Sequence, residues 1–375
     1  MNPPLTILPL THQVLIEGIS SGLHIGAQVF VSRKNEIIAD LAIGESRPGV
    51  AMMPDSLMLW LSASKPIAAV AMAQLMELGR LDLDDRIAHI IPEFAARGKE
   101  PITLRHILTH TCGFRFVETG WPDASWEEII ARLCDAALEK NWIIGQTAGY
   151  HPNTSWFILG EIIRRLDGRP FEQYVRDEIF LPLGMSDCWI GMPEEQFEQY
   201  GDRIGRLMQT DKHPPRELPP WNRPESYTHC RPAANGCGPA HQLGRFYQML
   251  LNGGQLNGLR LLQSRTVELF TSRQREAAYD LSFKHIVDFG FGFIINSRRY
   301  GQSTVPYGYG PYASNQTFGH NGYQSTCAFA DPQHDLAVVI IPNGCPGDAA
   351  HQQRLNSVLA AVYQDLGIAP AHNIQ

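Results

Sequence analysis

Ser62 and Lys65 stand three residues apart at the head of an apolar run, LSASKPIAAVAMAQL (61–75). A serine hydroxyl is a poor nucleophile until a base takes its proton. A lysine shielded from water has its pKa lowered toward the range in which it serves as that base. On a helix, residues i and i+3 share a face one turn apart. At a helix N-terminus Ser62 would sit where partial positive charge favours a developing anion, and Pro66 suits the first turn, where its missing N–H costs nothing. The pair alone does not decide the matter. Chance supplies about 0.3 Ser-x-x-Lys pairs in a chain of this composition, and a serine cap with a lysine snorkelling to water explains the residues equally well.

Acyl transfer through a serine also needs a group to protonate the leaving atom and N–H donors for the oxyanion. Two further segments offer them, in chain order. Ala148-Gly149-Tyr150-His151-Pro152-Asn153 runs into SWFILGEIIRRLDG, and Phe318-Gly319-His320-Asn321-Gly322 precedes a strand and the turn Asp331-Pro332. Together with ITLRHILTHTCGF (102–114), RLDLDDRI (80–87) and LGRFYQMLLNGG (243–254), this ordered set resembles the serine β-lactamase-like family: class C β-lactamases, D-alanyl-D-alanine peptidases and family VIII esterases. The resemblance covers roughly residues 20–345.

The resemblance implies a role for each matched position. Ser62 would be the acylated nucleophile and Lys65 would accept its proton. Tyr150 would share the proton network and protonate the leaving alcohol or amine. The backbone N–H groups of Ser62 and Tyr323 would form the oxyanion hole. His320 and Gly322 would stand on the substrate where relatives carry Lys-Thr-Gly, with Gly322 letting the strand approach closely. Asn153 would be the substrate-gripping Asn, but relatives place it two residues after the Tyr, and here it comes three after. A register that aligned Asn153 fully would put His151 in the place of Tyr. Tyr-His before a helix looks like the esterase-type variant, which favours Tyr150.

A histidine at 320 lacks the permanent charge of lysine that would attract a substrate carboxylate. Both departures point away from penicillins and D-Ala-D-Ala stems and toward neutral esters. The expectation is a serine carboxylesterase that takes a small ester substrate, needs no metal or cofactor, and works through an acyl-enzyme on Ser62. The alternatives are β-lactamase or D-amino-acid amidase/peptidase activity, acyl transfer from the same intermediate, or a catalytically dead penicillin-recognising module. His106 and His110 lie at a metal-capable i, i+4 spacing, but no acidic third ligand is evident and the matched segment accounts for them.

The elements that must position these residues follow from the pattern. Residues 26–33 and 36–43 read as a hairpin turning at Lys34 and Asn35, preceded by a helix near 11–21. FGFGFII (289–295), STCAFADP (325–332) and LAVVIIPN (336–343) read as strands. Leu355, Val358, Leu359, Val362 and Leu366 form one apolar stripe of a last helix. Helix candidates between are 64–78, 103–110, 126–139, 154–167, 171–179 and 239–252. This predicts an α+β fold: an antiparallel sheet assembled from both ends of the chain, flanked by N- and C-terminal helices, with a large mostly helical insertion. The expected partition is a single catalytic domain over 1–375, with an α/β part at about 1–65 and 285–375 and a helical part at about 66–284. Residues 205–235, with six prolines, and the Gly- and Tyr-rich 300–317 read as long loops beside a site or as plain surface connections.

Bulk properties narrow the class. A net charge of −7 gives no electrostatic reason to expect nucleic acid or an anionic membrane as partner. Seven cysteines, an odd number with no Cys-x-x-Cys, read as buried free thiols. Pro3, Pro4 and Pro9 interrupt the first apolar stretch and no basic n-region precedes it, so it does not read as a signal peptide. These features give a cytoplasmic expectation. Residues 57–78 are apolar, but Ser62, Lys65, Gln74 and Glu77 favour a buried helix over a membrane span. Oligomeric state is not readable from the sequence.

Overall fold

A computed structural model describes residues 7–301 and 308–369, so part of the 300–317 stretch lies outside the described residues. In chain order, helix α1 (Pro9–Ser20) leads into strands β1 (Gly26–Arg33), β2 (Glu36–Arg47) and β3 (Val50–Ala51). The helices that matter below are α2 (Lys65–Glu77), α3 (Thr154–Asp167) and α4 (Ala240–Leu251). Strands β4 (Asp288–Phe289), β5 (Ile294–Ile295), β6 (Phe318–Asn321), β7 (Cys327–Asp331) and β8 (Leu336–Pro342) follow, then helix α5 (Asp348–Asp365). One eight-stranded sheet takes the order β4-β5-β6-β7-β8-β1-β2-β3, antiparallel at every pairing. The two ends of the chain meet inside it, where Ala27 of β1 pairs with Pro342 of β8. This is the expected α+β architecture.

Local sequence explains the sheet. Lys34 and Asn35 both take positive φ, 52° and 67°, the geometry of a tight turn whose twist matches the flanking strands. In β8, Leu336, Val338 and Ile340 pack on the side of α1 and α5, while Ala337, Val339 and Ile341 face the helical body. A strand covered on both faces needs no polar alternation, which is why it reads as one apolar run. Helix α4 lies so close to the sheet that a Cβ on Gly244 would stand 2.2 Å from the Phe30 ring. In α5, Leu355, Val358, Leu359 and Val362 are buried with Leu15 of α1; Leu366 falls just past the helix and is half-buried.

Several expected elements are shorter. The single strand over 289–295 is instead a hairpin, β4 turning into β5. Gly292 makes that turn at φ 80° and packs on α2, where a Cβ would meet that of Ala69 at 2.5 Å. The helix expected over 126–139 ends at Asp135, because the Lys99 ammonium takes the carbonyl oxygens of Cys134 (2.9 Å) and Ala136. The one over 103–110 is confined to Leu104–Leu108; the chain leaves it at His110, whose φ is 59°. The one over 171–179 is α-helical to Val175 and then widens into a π turn through Phe180. Within 205–235 the chain makes short pieces of structure, including Met208–Gln209 and Glu225–Thr228. Among the described residues no helix is long and apolar enough to cross a membrane.

Candidate active site

Ser62 lies in a 3₁₀ turn, Leu61–Ser64, that runs directly into α2 at Lys65, one turn short of the helix proper. Leu61 enters that turn with φ 52°, a conformation uncommon for a residue with a Cβ and concentrated at functional sites. The turn is tied down from the far side of the chain. Ser64 Oγ donates to the Leu61 carbonyl at 2.6 Å and accepts the Gly236 N–H at 2.9 Å. Met58–Leu59 pairs with Gly236–Gly238 in a small separate sheet.

Lys65 is fully buried. Its Nζ is 3.1 Å from Ser62 Oγ and donates to the Ala233 carbonyl at 3.2 Å. The Tyr150 and Trp156 rings stand 4.9 and 5.5 Å from it. Burial drives its pKa well below that of a free lysine, and the charge of Arg231 pushes in the same direction. No acid among the described residues offsets this. The lowered pKa favours the amine with a free lone pair, and the hydroxyl it hydrogen-bonds is that of Ser62.

Tyr150 and His151 are adjacent yet face different surroundings. Tyr150 stacks on Phe283 at 4.8 Å and stands 5.9 Å from the His320 ring. Its buried hydroxyl makes no hydrogen bond of normal geometry. Burial raises the phenol's pKa, with the neighbouring Ser62 hydroxyl opposing, so it keeps its proton. Its backbone is anchored by Asp280, which accepts the Tyr150 N–H at 3.0 Å and is held by Arg275 at 2.8 Å. His151 points into the core. Its Nε2 accepts the Gly113 N–H at 3.1 Å beside Cys112 Sγ, and its own N–H donates to His110 Nδ1 at 3.0 Å. Burial takes its pKa down to about 3, so it is neutral. His106 Nδ1 caps its own helix by accepting the Thr103 N–H at 3.1 Å. The two histidines of 102–114 thus do separate structural work, and no metal-holding cluster is found among the described residues.

Strand β6 brings the third segment alongside. His320 is buried, with Nδ1 2.8 Å from the Asn321 carbonyl and Nε2 unpaired. Burial, with the Lys65 charge adding to it, lowers its pKa to about 3. A Cβ at Gly322 would stand 2.4 Å from the Trp60 carbonyl oxygen and 3.2 Å from Leu61 Cβ. Only glycine lets this strand end press against the residues that precede Ser62. Tyr323 follows, its side chain exposed and its backbone next to that contact. Ser62, Lys65, Tyr150, His320 and Gly322 therefore share one locality.

Asn153 lines a cleft shared with Arg231, whose charge acts on Lys65. Asn153 is the N-cap position of α3 and makes no capping bond, and the cleft, of about 480 Å³, is also lined by Arg115 and Trp121. Arg231, Asp280 and the Ala233 carbonyl were not among the residues expected from sequence. The one signal was the proline-rich 205–235 loop, which contains Arg231 and Ala233.

Comparison with known proteins agrees with the fold. A profile of the Beta-lactamase family matches residues 14–362. A putative D-alanyl-D-alanine carboxypeptidase of Escherichia coli K12 is 25% identical over 309 residues, 76% of this chain and 68% of that protein. The chain thus spans about two thirds of that relative's length. A penicillin-binding protein homologue from Caulobacter crescentus superposes with a TM-score of 0.79 at 29% identity, covering 96% of this chain and 97% of that one. A family VIII carboxylesterase superposes with a TM-score of 0.80 at 24% identity, covering 97% and 99%, a likeness of fold. The chain belongs to the Beta-lactamase family.

Proposed function

We propose that this protein is a serine hydrolase that cleaves carboxylic esters through an acyl-enzyme on Ser62. The observation that carries the reading is the fully buried Lys65 amine 3.1 Å from Ser62 Oγ. Lys65 Nζ takes the Ser62 proton as Oγ attacks the ester carbonyl. The N–H groups of Ser62 and Tyr323 receive the oxyanion. The carbon–oxygen bond breaks, and Tyr150 Oη gives its proton to the departing alkoxide and recovers one from Lys65. Water then loses a proton to the same pair, attacks the acyl-enzyme and releases the acid. The opposite pKa directions of the two groups support this division: burial favours the proton-free amine and the protonated phenol.

Amide chemistry is the second reading, favoured by the likeness to a putative D-alanyl-D-alanine carboxypeptidase. An alcohol or amine replacing water would make the same intermediate an acyl donor. A cytoplasmic site of action is supported by seven cysteines that are all free. The test is fluorophosphonate labelling with peptide mapping, beside a panel of short phenyl esters and nitrocefin. A label on Ser62 and ester turnover lost in Ser62→Ala are expected. A label elsewhere, or turnover retained in Ser62→Ala, sinks the assignment. Nitrocefin turnover rivalling that of the esters would favour amide chemistry.

A further inference from the structure

Arg231 is a cation in the cleft beside the candidate site, and among the described residues none forms a hydrogen bond or ion pair with its guanidinium. Its guanidinium stands 4.5 Å from the Trp121 ring and 5.4 Å from the Trp221 ring. Its backbone is fixed: the N–H donates to Asn235 Oδ1 at 2.9 Å and the carbonyl accepts the Ala234 N–H at 2.9 Å. Two residues on, the Ala233 carbonyl holds Lys65. The side chain is half-buried, its shielded Nε has no hydrogen-bond partner among the described residues, and no acid among them acts on it.

Of the other charges on that cleft, Arg115 is paired and Glu118 is an exposed carboxylate. Arg115 is held by both carboxylate oxygens of Glu139, at 2.9 and 3.1 Å from its Nε, and by Ser282 Oγ. Glu118 is exposed and accepts the Gly120 N–H at 3.2 Å. A guanidinium presents five donors and no acceptor, in a planar fork that matches a carboxylate. With Nε shielded and unpaired among the described residues it is under-satisfied, and the two indole faces answer its charge but not its N–H groups. The missing partner is an anion with two parallel oxygens, and the cleft is where it would enter.

We infer that Arg231 recognises a free carboxylate on the substrate, so that the preferred substrate is an ester that carries a second, ionised carboxyl group. This rests on the esterase reading of Ser62. It also restores, from a different part of the chain, the positive charge that a histidine at position 320 does not supply.

The test compares three phenyl-type esters: phenyl hexanoate, the phenyl monoester of adipate with its carboxylate on the acyl side, and 4-carboxyphenyl hexanoate with its carboxylate on the alcohol side. One of the two charged esters should be preferred at least tenfold in kcat/KM over phenyl hexanoate. Arg231→Gln should cut that ratio at least tenfold. Arg231→Lys, which keeps the charge and loses the fork, should fall between. Which charged ester is preferred tells which half of the substrate meets Arg231. No preference in the native protein, or the same preference in both variants, overturns the inference while leaving the esterase reading intact. If no ester is turned over and fluorophosphonate leaves Ser62 unlabelled, the esterase reading fails instead. Calorimetric binding of adipate dianion then reads Arg231 alone: weakening of tenfold or more in Arg231→Gln supports the carboxylate contact, and absent or unchanged binding overturns it.

Discussion

Lys65 Nζ and Ser62 Oγ are 3.1 Å apart, joined by a contact that a single turn of chain creates between a fully buried amine and a half-buried hydroxyl. The contact has opposite consequences for chemistry and for stability. A lysine whose folded pKa lies below its unfolded value binds fewer protons when folded, so its burial destabilises the fold near neutrality. Stability rises with pH from the folded pKa toward the unfolded value. Lys65→Met should therefore raise the melting temperature, by about 2–4 °C for each kcal/mol recovered. The same variant should lower kcat on phenyl hexanoate by about 10²–10⁴-fold. A loss confined to KM, or a lower melting temperature, would contradict the role.

The pH profile should show the same amine from the kinetic side. Activity requires Lys65 without its third proton, so kcat/KM rises as pH climbs through the folded pKa of Lys65. The charge of Arg231 holds that pKa down. Arg231→Gln should therefore move the acidic limb for phenyl hexanoate to higher pH. A limb that stays still or moves lower would show that Lys65 is not the titrating base.

Tyr150 and His151 should separate cleanly. Tyr150→Phe keeps the ring against Phe283 and removes only the hydroxyl, and should cost about 10²-fold or more in kcat. His151→Ala strips the Gly113 N–H of its buried acceptor, at about 1–3 kcal/mol. It should lower the melting temperature and leave the turnover of folded protein within a few-fold. The reverse ranking, read from kcat and thermal melts together, would make His151 the catalytic group.

Gly322→Ala tests the approach of β6 to the nucleophile turn. The new methyl would meet a backbone oxygen at 2.4 Å, so the strand end must retreat and carry the Tyr323 N–H with it. A fall in kcat/KM of at least tenfold is expected. Native kinetics in this variant would mean that Tyr323 contributes no oxyanion donor.

Much of this was legible in the chain, for identifiable reasons. Strands β1, β2 and β8 and helix α5 announce themselves because local pattern and tertiary burial agree. The grouping of Ser62, Lys65 and Tyr150 could be expected because each sits in a segment with an ordered counterpart in the family. Arg231 could not, since nothing in RPAANG distinguishes a half-buried guanidinium on a cleft from a surface one. Its setting between Trp121 and Trp221 exists only after folding. The 289–295 hairpin was hidden for a similar reason. An apolar run says that a segment is covered, and only Gly292 against Ala69 says where it turns.

The pairing of Ala27 with Pro342 has a consequence for biosynthesis. As the chain leaves the ribosome, β1 and β2 emerge early with one long apolar edge and no strand to lie beside it. That edge stays open until β8 arrives, after the whole helical body has been made. Contacts so distant in sequence fold slowly, and an open apolar edge invites pairing between chains in the interval. Overproduction should therefore yield inclusion bodies at high synthesis rates and soluble protein at low temperature or with added chaperones. A fragment that stops before residue 336 should fail to accumulate.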